Sequence, residues 1–164
     1  MGRRGGMNDI ALRPATSADG EWCYRLHRAA LRTYVEAIWG WDEDTQRSMY
    51  RQSFDPARIR IVTVDGCDAG VLIVEHRAGV TYLGLIEIHP DHQGRGIGSR
   101  LIGRLLREAA ERDRPVELDV LHVNRRAYAL YQRLGFREVI RHGPGSIKIR
   151  MRATPEAVRP RPER

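Results

Sequence analysis

Between Thr81 and Glu111 the chain changes period, and that change constrains what lies on either side of it. The run from Thr81 to His89 alternates like a strand, whereas Ile97, Leu101, Leu105 and Ala109 recur every four positions, as on a buried helix face, with Arg100, Arg104 and Arg107 outward. The loop between them, Gln93-Gly94-Arg95-Gly96-Ile97-Gly98-Ser99, carries three glycines. Glycine takes positive φ without strain and lets a ligand come close to the main chain. At a helix start such a loop turns several N–H groups toward one point, and the helix dipole makes that point an anion site suited to phosphate or pyrophosphate. Pro115 follows the helix, and Val116 to Leu121 reads as the next strand. Strand, helix and strand in this order form a right-handed crossover between parallel neighbours.

Two familiar glycine loops fit poorly. No Gly-Lys-Ser/Thr follows, as an ATP-type loop needs. The dinucleotide fingerprint G-x-G-x-x-G accepts Gly94 and Gly96 but meets Ser99 at its third glycine, and its ribose-binding acid would be Asp119, inside a strand. The third reading is Q-x-x-G-x-G, Gln93 to Gly98, directly after a strand that bears an acid. A second informative stretch runs Asn124-Arg-Arg-Ala-Tyr-Ala-Leu-Tyr-Gln-Arg-Leu-Gly-Phe136. Asn124 suits a helix N-cap and Gly135 a left-handed C-terminal residue. Asn124, Ala127, Tyr128 and Tyr131 share one helix face by spacing, and Leu130 and Leu134 mark the face expected to meet the core.

Together these stretches resemble the GNAT superfamily of acyl-CoA-dependent N-acyltransferases. Asn124 to Phe136 matches the pattern N-x-x-A-x-x-L-Y-x-x-x-G-F at every fixed position, and follows Q-x-x-G-x-G after one intervening strand, in the family's order. The resemblance spans about residues 10 to 152, its specific motifs only 81 to 136. It implies an α/β (α+β) fold: a mixed, mostly antiparallel central sheet of about six to seven strands, its fourth and fifth parallel and splayed, flanked by four helices. It implies acetyl-CoA as acyl donor and no metal. The donor would be held by Gln93, Gly94, Arg95, Gly96, Ile97, Gly98 and Ser99, by the main chain of Ile86 and Ile88, and by Asn124, Ala127, Tyr128 and Tyr131. The Ile88 amide would stabilise the oxyanion. Glu87 is implied as a base acting on the amine through water, with His89 as an alternative, and Tyr131 as the acid that protonates the departing thiolate. A homodimer is common in that superfamily.

The residues themselves leave alternatives open. Period two puts Leu85, Glu87 and His89 on one strand face and Gly84, Ile86 and Ile88 on the other. Burial of a carboxyl without a cation favours its neutral form and makes it a candidate general base, whereas solvent or an arginine partner would leave it structural. Tyr131 could equally be a core residue whose hydroxyl reaches water. His89 and His92 straddle Pro90 with no further ligands nearby, so no metal site is expected. Cys23 and Cys67 have neither paired nor metal-ligand spacing, which suits a reducing compartment, and no catalytic partner is evident, which argues against ping-pong chemistry.

Along the rest of the chain, residues 1–8 read as a flexible leader with Met1 and Met7 both candidate starts, residues 9–152 as a single domain, and residues 153–164 as a disordered tail. Ile10 to Arg13 reads as a strand. Thr16 and Asp19 have capping-box spacing before a helix with Trp22, Leu26, Ala30 and Tyr34 on its apolar face, ending near Trp39-Gly40. A second helix is expected from Asp42 to Asp55-Pro56, a hairpin of Ile59–Val64 and Val71–Arg77 joined by Asp65 to Gly70, and a last hairpin of Phe136–Arg141 and Ile147–Met151. Between the first helices, aromatic and acidic residues concentrate, including Tyr34, Glu36, Trp39, Trp41 and Asp42. The resemblance puts the acceptor side here, and this composition suits a cationic amine. Ordinary packing of the tryptophans, with acids favouring a helix N-terminus, is the competing reading.

The net charge is +7, but 27 of 28 basic residues are arginine, only Lys148 is lysine, and they are spread along the chain. That is a solvated basic surface that attracts anionic ligands such as coenzyme A, rather than a nucleic-acid interface. No apolar run nears the roughly 20 residues of a membrane span, and a cytoplasmic protein without a membrane partner is expected. The expected partner is a small-molecule or peptide amine. Two other classes stay open: a non-catalytic acyl-CoA-binding sensor and a dinucleotide-binding oxidoreductase.

Overall fold

The computed structural model describes residues 8–159; most of the expected leader and residues 160–164 lie outside the described residues. β1 (Ile10–Pro14), β2 (Arg60–Val64), β3 (Cys67–Arg77) and β4 (Val80–Ile88) pair antiparallel in sequence order. β5 (Val116–Leu121), β7 (Lys148–Ala153) and β6 (Arg137–His142) form a second antiparallel set. The sets join where β4 meets β5 in parallel, giving one seven-stranded sheet of order β1-β2-β3-β4-β5-β7-β6. α3 (Ile97–Glu111) is the crossover between the parallel strands. It buries Ile97, Leu101, Ile102, Leu105, Leu106, Ala109 and Ala110, and packs on one face of the sheet with α4 (Arg125–Arg133). Each of the leucine and isoleucine side chains contributes about 1.5–3 kcal/mol when fully buried. α1 (Gly20–Trp39) and α2 (Glu43–Ser53) cover the opposite face, where Cys23 and Leu26 pack with Ile59, Ile61 and Val71.

Local chemistry sets the entries to these elements. The Thr16–Asp19 capping box forms in a short 3-10 turn before α1, with the Thr16 amide donating to Asp19 Oδ2 at 2.8 Å. The β2–β3 hairpin is tighter than the spacing suggests: Asp65 (φ 52°) and Gly66 (φ 82°) alone make the turn, so β3 begins at Cys67 and not at Val71. Two consecutive positive-φ residues match the twist of the flanking strands, and a register shift at Val62/Thr63 absorbs the offset.

The expected disordered tail departs from its reading through Arg159. α5 (Pro155–Val158) buries Pro155, packs Val158 on the core, and the Arg159 guanidinium donates to the Ala110 carbonyl at 3.1 Å. Prolines and charges read as disorder in composition, yet Pro155 at the first helical position and one apolar side chain suffice once α3 offers a surface.

The feature that shapes the site is an irregularity in β4. Ile73 pairs with Leu85 but Val74 with Leu83, so Gly84 is an extra residue opposite the β3 step. The bulge reverses the alternation: Leu83 lies in the core under α3, and past Gly84 it is Ile86 and Ile88 that face that side, while Leu85 packs on the α1 side. Pairing with β5 also stops at Leu83–Leu118. The two parallel strands therefore part at the bulge. On β3, a Cβ at Gly70 would lie 2.5 Å from the Glu87 carbonyl oxygen and 2.9 Å from Ile88 Cδ1. Gly70→Ala is expected to cost about 1–3 kcal/mol through forced displacement of β4. A denaturant titration checks this, and an unchanged midpoint would mean that the strand yields freely.

Candidate active site

The gap left by the parting strands is the head of a cleft of about 420 Å³ whose lining comes from β4, the glycine loop, α3, α4 and α1. On its β4 wall, the His89 amide donates to the Ala69 carbonyl of β3 at 2.8 Å. Because successive residues of a strand direct their N–H and C=O groups to opposite sides, the main-chain groups of Ile86 and Ile88 point the other way, into the gap where β5 no longer pairs. The Ile88 carbonyl accepts from Gln93 Nε2 at 2.9 Å, which ties the loop to the strand end.

In the loop itself Gly94 (φ 75°) and Gly96 (φ 72°) are left-handed, and Gly96 is the N-cap of α3. The first amide to bond back is that of Arg100, to the Gly96 carbonyl at 3.0 Å, so those of Ile97, Gly98 and Ser99 lack an acceptor within the helix. A Cβ at Gly98 would meet nothing within 4 Å. His92, in the turn before the loop, also lines the cleft, and its Nδ1 is buried without a hydrogen-bond partner. Free amides at a helix N-terminus, open space above Gly98 and an unpartnered imidazole nitrogen fit an extended, phosphate-bearing group such as coenzyme A.

The opposite wall is α4. The Asn124 side chain caps it by accepting from the Ala127 amide at 3.1 Å, and Gly135 ends it at φ 101°. Asn124, Ala127 and Tyr131 line the cleft, as does Leu130, which also packs on the core with Leu134 as the spacing implies. Tyr131 is the buried residue of the helix, 9% exposed, with its ring 5.8 Å from that of Phe136. Burial pushes its phenol up to about 12. Tyr128 does not line the cleft, and its hydroxyl donates to Glu138 Oε2 at 3.0 Å. Arg95 is exposed and also outside the lining.

Glu87 lies on the β4 wall, 4% exposed. Among the described residues no arginine pairs with it. His27 of α1 reaches it across the sheet face, Nδ1 to Oε1 at 2.8 Å. Sequence reading missed His27. The signal available was helical spacing: Cys23, His27, Ala30, Leu31 and Tyr34 fall on one side of α1, and three of these, Ala30, Leu31 and Tyr34, line the cleft. Cys23 is buried, and its thiol is pushed up to about 11 by burial. Tyr50 of α2, whose ring stands 5.1 Å from that of His27, is likewise pushed up by burial.

Of the expected acceptor-side residues, Tyr34 lines the cleft, whereas Glu36, Trp39, Trp41 and Asp42 do not. Asp42 is the N-cap of α2, accepting from the Thr45 amide at 2.8 Å. Glu36 pairs with Arg32 one turn away at 3.7 Å, Trp41 donates to Glu43 Oε2 at 2.9 Å, and Trp39 is largely exposed. The hydrogen bonds from Trp41 and Tyr24 hold the Glu43 carboxyl down at about 2. His89 sits at the strand exit and its Nδ1 accepts from the Asp91 amide at 3.1 Å. Among the described residues no three His, Cys, Asp or Glu side chains gather as around a metal ion. Asp119, the acid a dinucleotide site would need, is bound by Arg150, His142 and Tyr82, which hold its carboxyl below the usual range against the effect of burial.

The chain matches the Acetyltransferase (GNAT) family over residues 23–136. Its fold is similar to that of PaiA N-acetyltransferase from Thermoplasma acidophilum, solved in complex with coenzyme A (15% identity, TM-score 0.71, 89% of this chain and 99% of that one). It is also similar to an acetyltransferase from Thermus thermophilus (26% identity, TM-score 0.66, 90% and 98% covered). A third similar structure is the ribosomal-protein-S18-alanine N-acetyltransferase of Escherichia coli (22% identity, TM-score 0.61, 89% and 94% covered).

Proposed function

The chain belongs to the GNAT acetyltransferase family, and from that premise we propose that it moves an acetyl group from acetyl-CoA directly to a primary amine, with Glu87 as base and Tyr131 as acid. The observation that carries this reading is that one cleft is lined by the glycine loop, Glu87 and Tyr131 together. Acetyl-CoA supplies an activated acyl group on a thiol leaving group. The amides of Ile97, Gly98 and Ser99 would hold its phosphates, and the main chain of Ile86 and Ile88, with Asn124, would hold its extended arm.

An amine is mostly protonated at neutral pH and cannot attack until that proton is removed. Glu87, directly or through one water, accepts it. Tyr131 keeps its own proton at Oη for the departing sulfur, and with its phenol at about 12 it stays a donor across the neutral range. Neither cysteine enters the chemistry: Cys23 is buried and Cys67 is exposed outside the cleft. Both are free thiols, which fits a reducing compartment and a cytoplasmic enzyme. The acceptor amine enters beside Ala30, Leu31 and Tyr34. A cationic acceptor drawn by Glu36 and Asp42 has less support, since both carboxylates already have partners.

The test is thiol release from acetyl-CoA against a panel of small amines, amino acids and peptide N-termini. Acceptor-dependent release is expected, and tight acetyl-CoA binding without release for any acceptor would favour a non-catalytic module. Tyr131→Phe is expected to lower kcat about 10- to 100-fold, toward the small end for acid catalysis because a thiolate leaves well unaided. The same argument predicts no basic limb from Tyr131 in the pH–rate profile below about pH 10. A Tyr131→Phe enzyme at full rate would remove the tyrosine from the mechanism.

A further inference from the structure

We propose that His27 is the positioning residue for Glu87: its Nδ1–H fixes one oxygen of the buried carboxylate and leaves the second oxygen free for the acceptor. This rests on the acetyl-transfer reading above, in which Glu87 is the base. The Glu87 side chain is 3% exposed and the His27 ring 23%, and they meet at 2.8 Å. A carboxylate offers only acceptors, so the proton in the shared bond belongs to His27 Nδ1. Burying a carboxylate is costly unless a hydrogen-bond donor meets it, and His27 supplies that donor.

The surroundings leave this task to His27. Among the described residues, the Glu87 side chain has His27 as its hydrogen-bond partner. On β3, the residue paired with Glu87 is the apolar Val71. Cys23 on α1, with its thiol at about 11, and Tyr50 on α2 are both neutral in the working range. Tyr131 of α4 is neutral as well, and Tyr34 and His92 line the same cleft. Arg126 and Arg133 of α4 also line the cleft, but neither makes a hydrogen bond or ion pair with Glu87. The bond to Oε1 fixes the carboxylate plane, and misplacing a reacting group by about 1 Å can cost about a hundredfold in rate.

Two substitutions separate positioning from packing. His27→Ala removes the donor. His27→Asn puts an amide N–H close to where Nδ1 stood, because both nitrogens branch from Cγ. His27→Ala is expected to lower kcat about 10- to 100-fold with the KM for acetyl-CoA changed less than about twofold. His27→Asn should recover most of the rate, with the KM for acetyl-CoA unchanged. A His27→Ala enzyme at full rate, or His27→Asn as slow as His27→Ala, overturns the proposal.

A second readout needs neither an acceptor nor the alanine variant at His27. In nitrogen-15 spectra of the ring at pH 8, Nδ1 of His27 should carry a proton in the wild type and lose it to Nε2 in Glu87→Ala. An unprotonated Nδ1 in the wild type sinks the pairing even if no acceptor is ever found. Absence of turnover with that proton in place sinks only the acetyl-transfer reading.

Discussion

Glu87→Gln is expected to lower kcat by about two to four orders of magnitude while acetyl-CoA binds as before. Glutamine has nearly the volume of glutamate and keeps a carbonyl oxygen that can accept from His27 Nδ1, so the 2.8 Å contact and the β4 wall survive. What it loses is the basic oxygen. An amine that stays protonated must wait for its rare neutral form, so the variant should regain rate as pH rises toward the amine's own pKa. A loss in kcat at unchanged donor KM is the mark of an interaction used in the chemical step rather than in binding. Thiol release measured from pH 6 to 10, beside calorimetric titration with acetyl-CoA, decides it. If Glu87→Gln works at the wild-type rate, the base is elsewhere, and His89 at the exit of the same strand becomes the group to change.

How legible this site was depends on how far each feature reaches along the chain. The loop from Gln93 to Ser99 and the cap at Asn124 are local, their geometry dictated by glycines and one amide side chain, and both stand where the spacing puts them. The crossover and the parallel pair followed from the order of periods, strand then helix then strand. The bulge at Gly84 was not legible, because a glycine inside an alternating run looks the same whether or not it is counted in the register. It is nonetheless what parts β4 from β5. The His27–Glu87 pair spans 60 positions, and nothing in the residues around either partner announces the other. Acids near Asp42 stay open to two readings for the opposite reason. Their composition suited a ligand, yet the bonds that use Asp42 and Glu43 come from within a few residues or from α1. Tyr131 and Leu130 both pack on the core and line the cleft, so on this nine-residue helix the two faces that spacing separates are shared by the same side chains.

Phe136→Ala is expected to cost about 3–5 kcal/mol, the largest single loss of stability anticipated for this chain. The ring is 0% exposed, in the core cluster that includes Met151, Leu118 and Tyr131, and a void there has rigid walls on both the sheet and the helix side. Its effect on activity should exceed the unfolded fraction. The Phe136 amide donates to the Tyr131 carbonyl at 3.0 Å and the rings meet edge to face at 5.8 Å, so the turn after α4 and the tyrosine rotamer are held by the same residue. Removing the ring frees Tyr131 to rotate into the void, away from the cleft. Phe136→Leu fills most of the space and should cost less than about 1.5 kcal/mol, with Tyr131 kept in place. Denaturant titration gives the stability of each variant, and kcat measured well below the midpoint isolates the folded enzyme. If folded Phe136→Ala retains full kcat, then Tyr131 is held by its own burial between α4 and the sheet, and the packing beneath it matters to the fold alone.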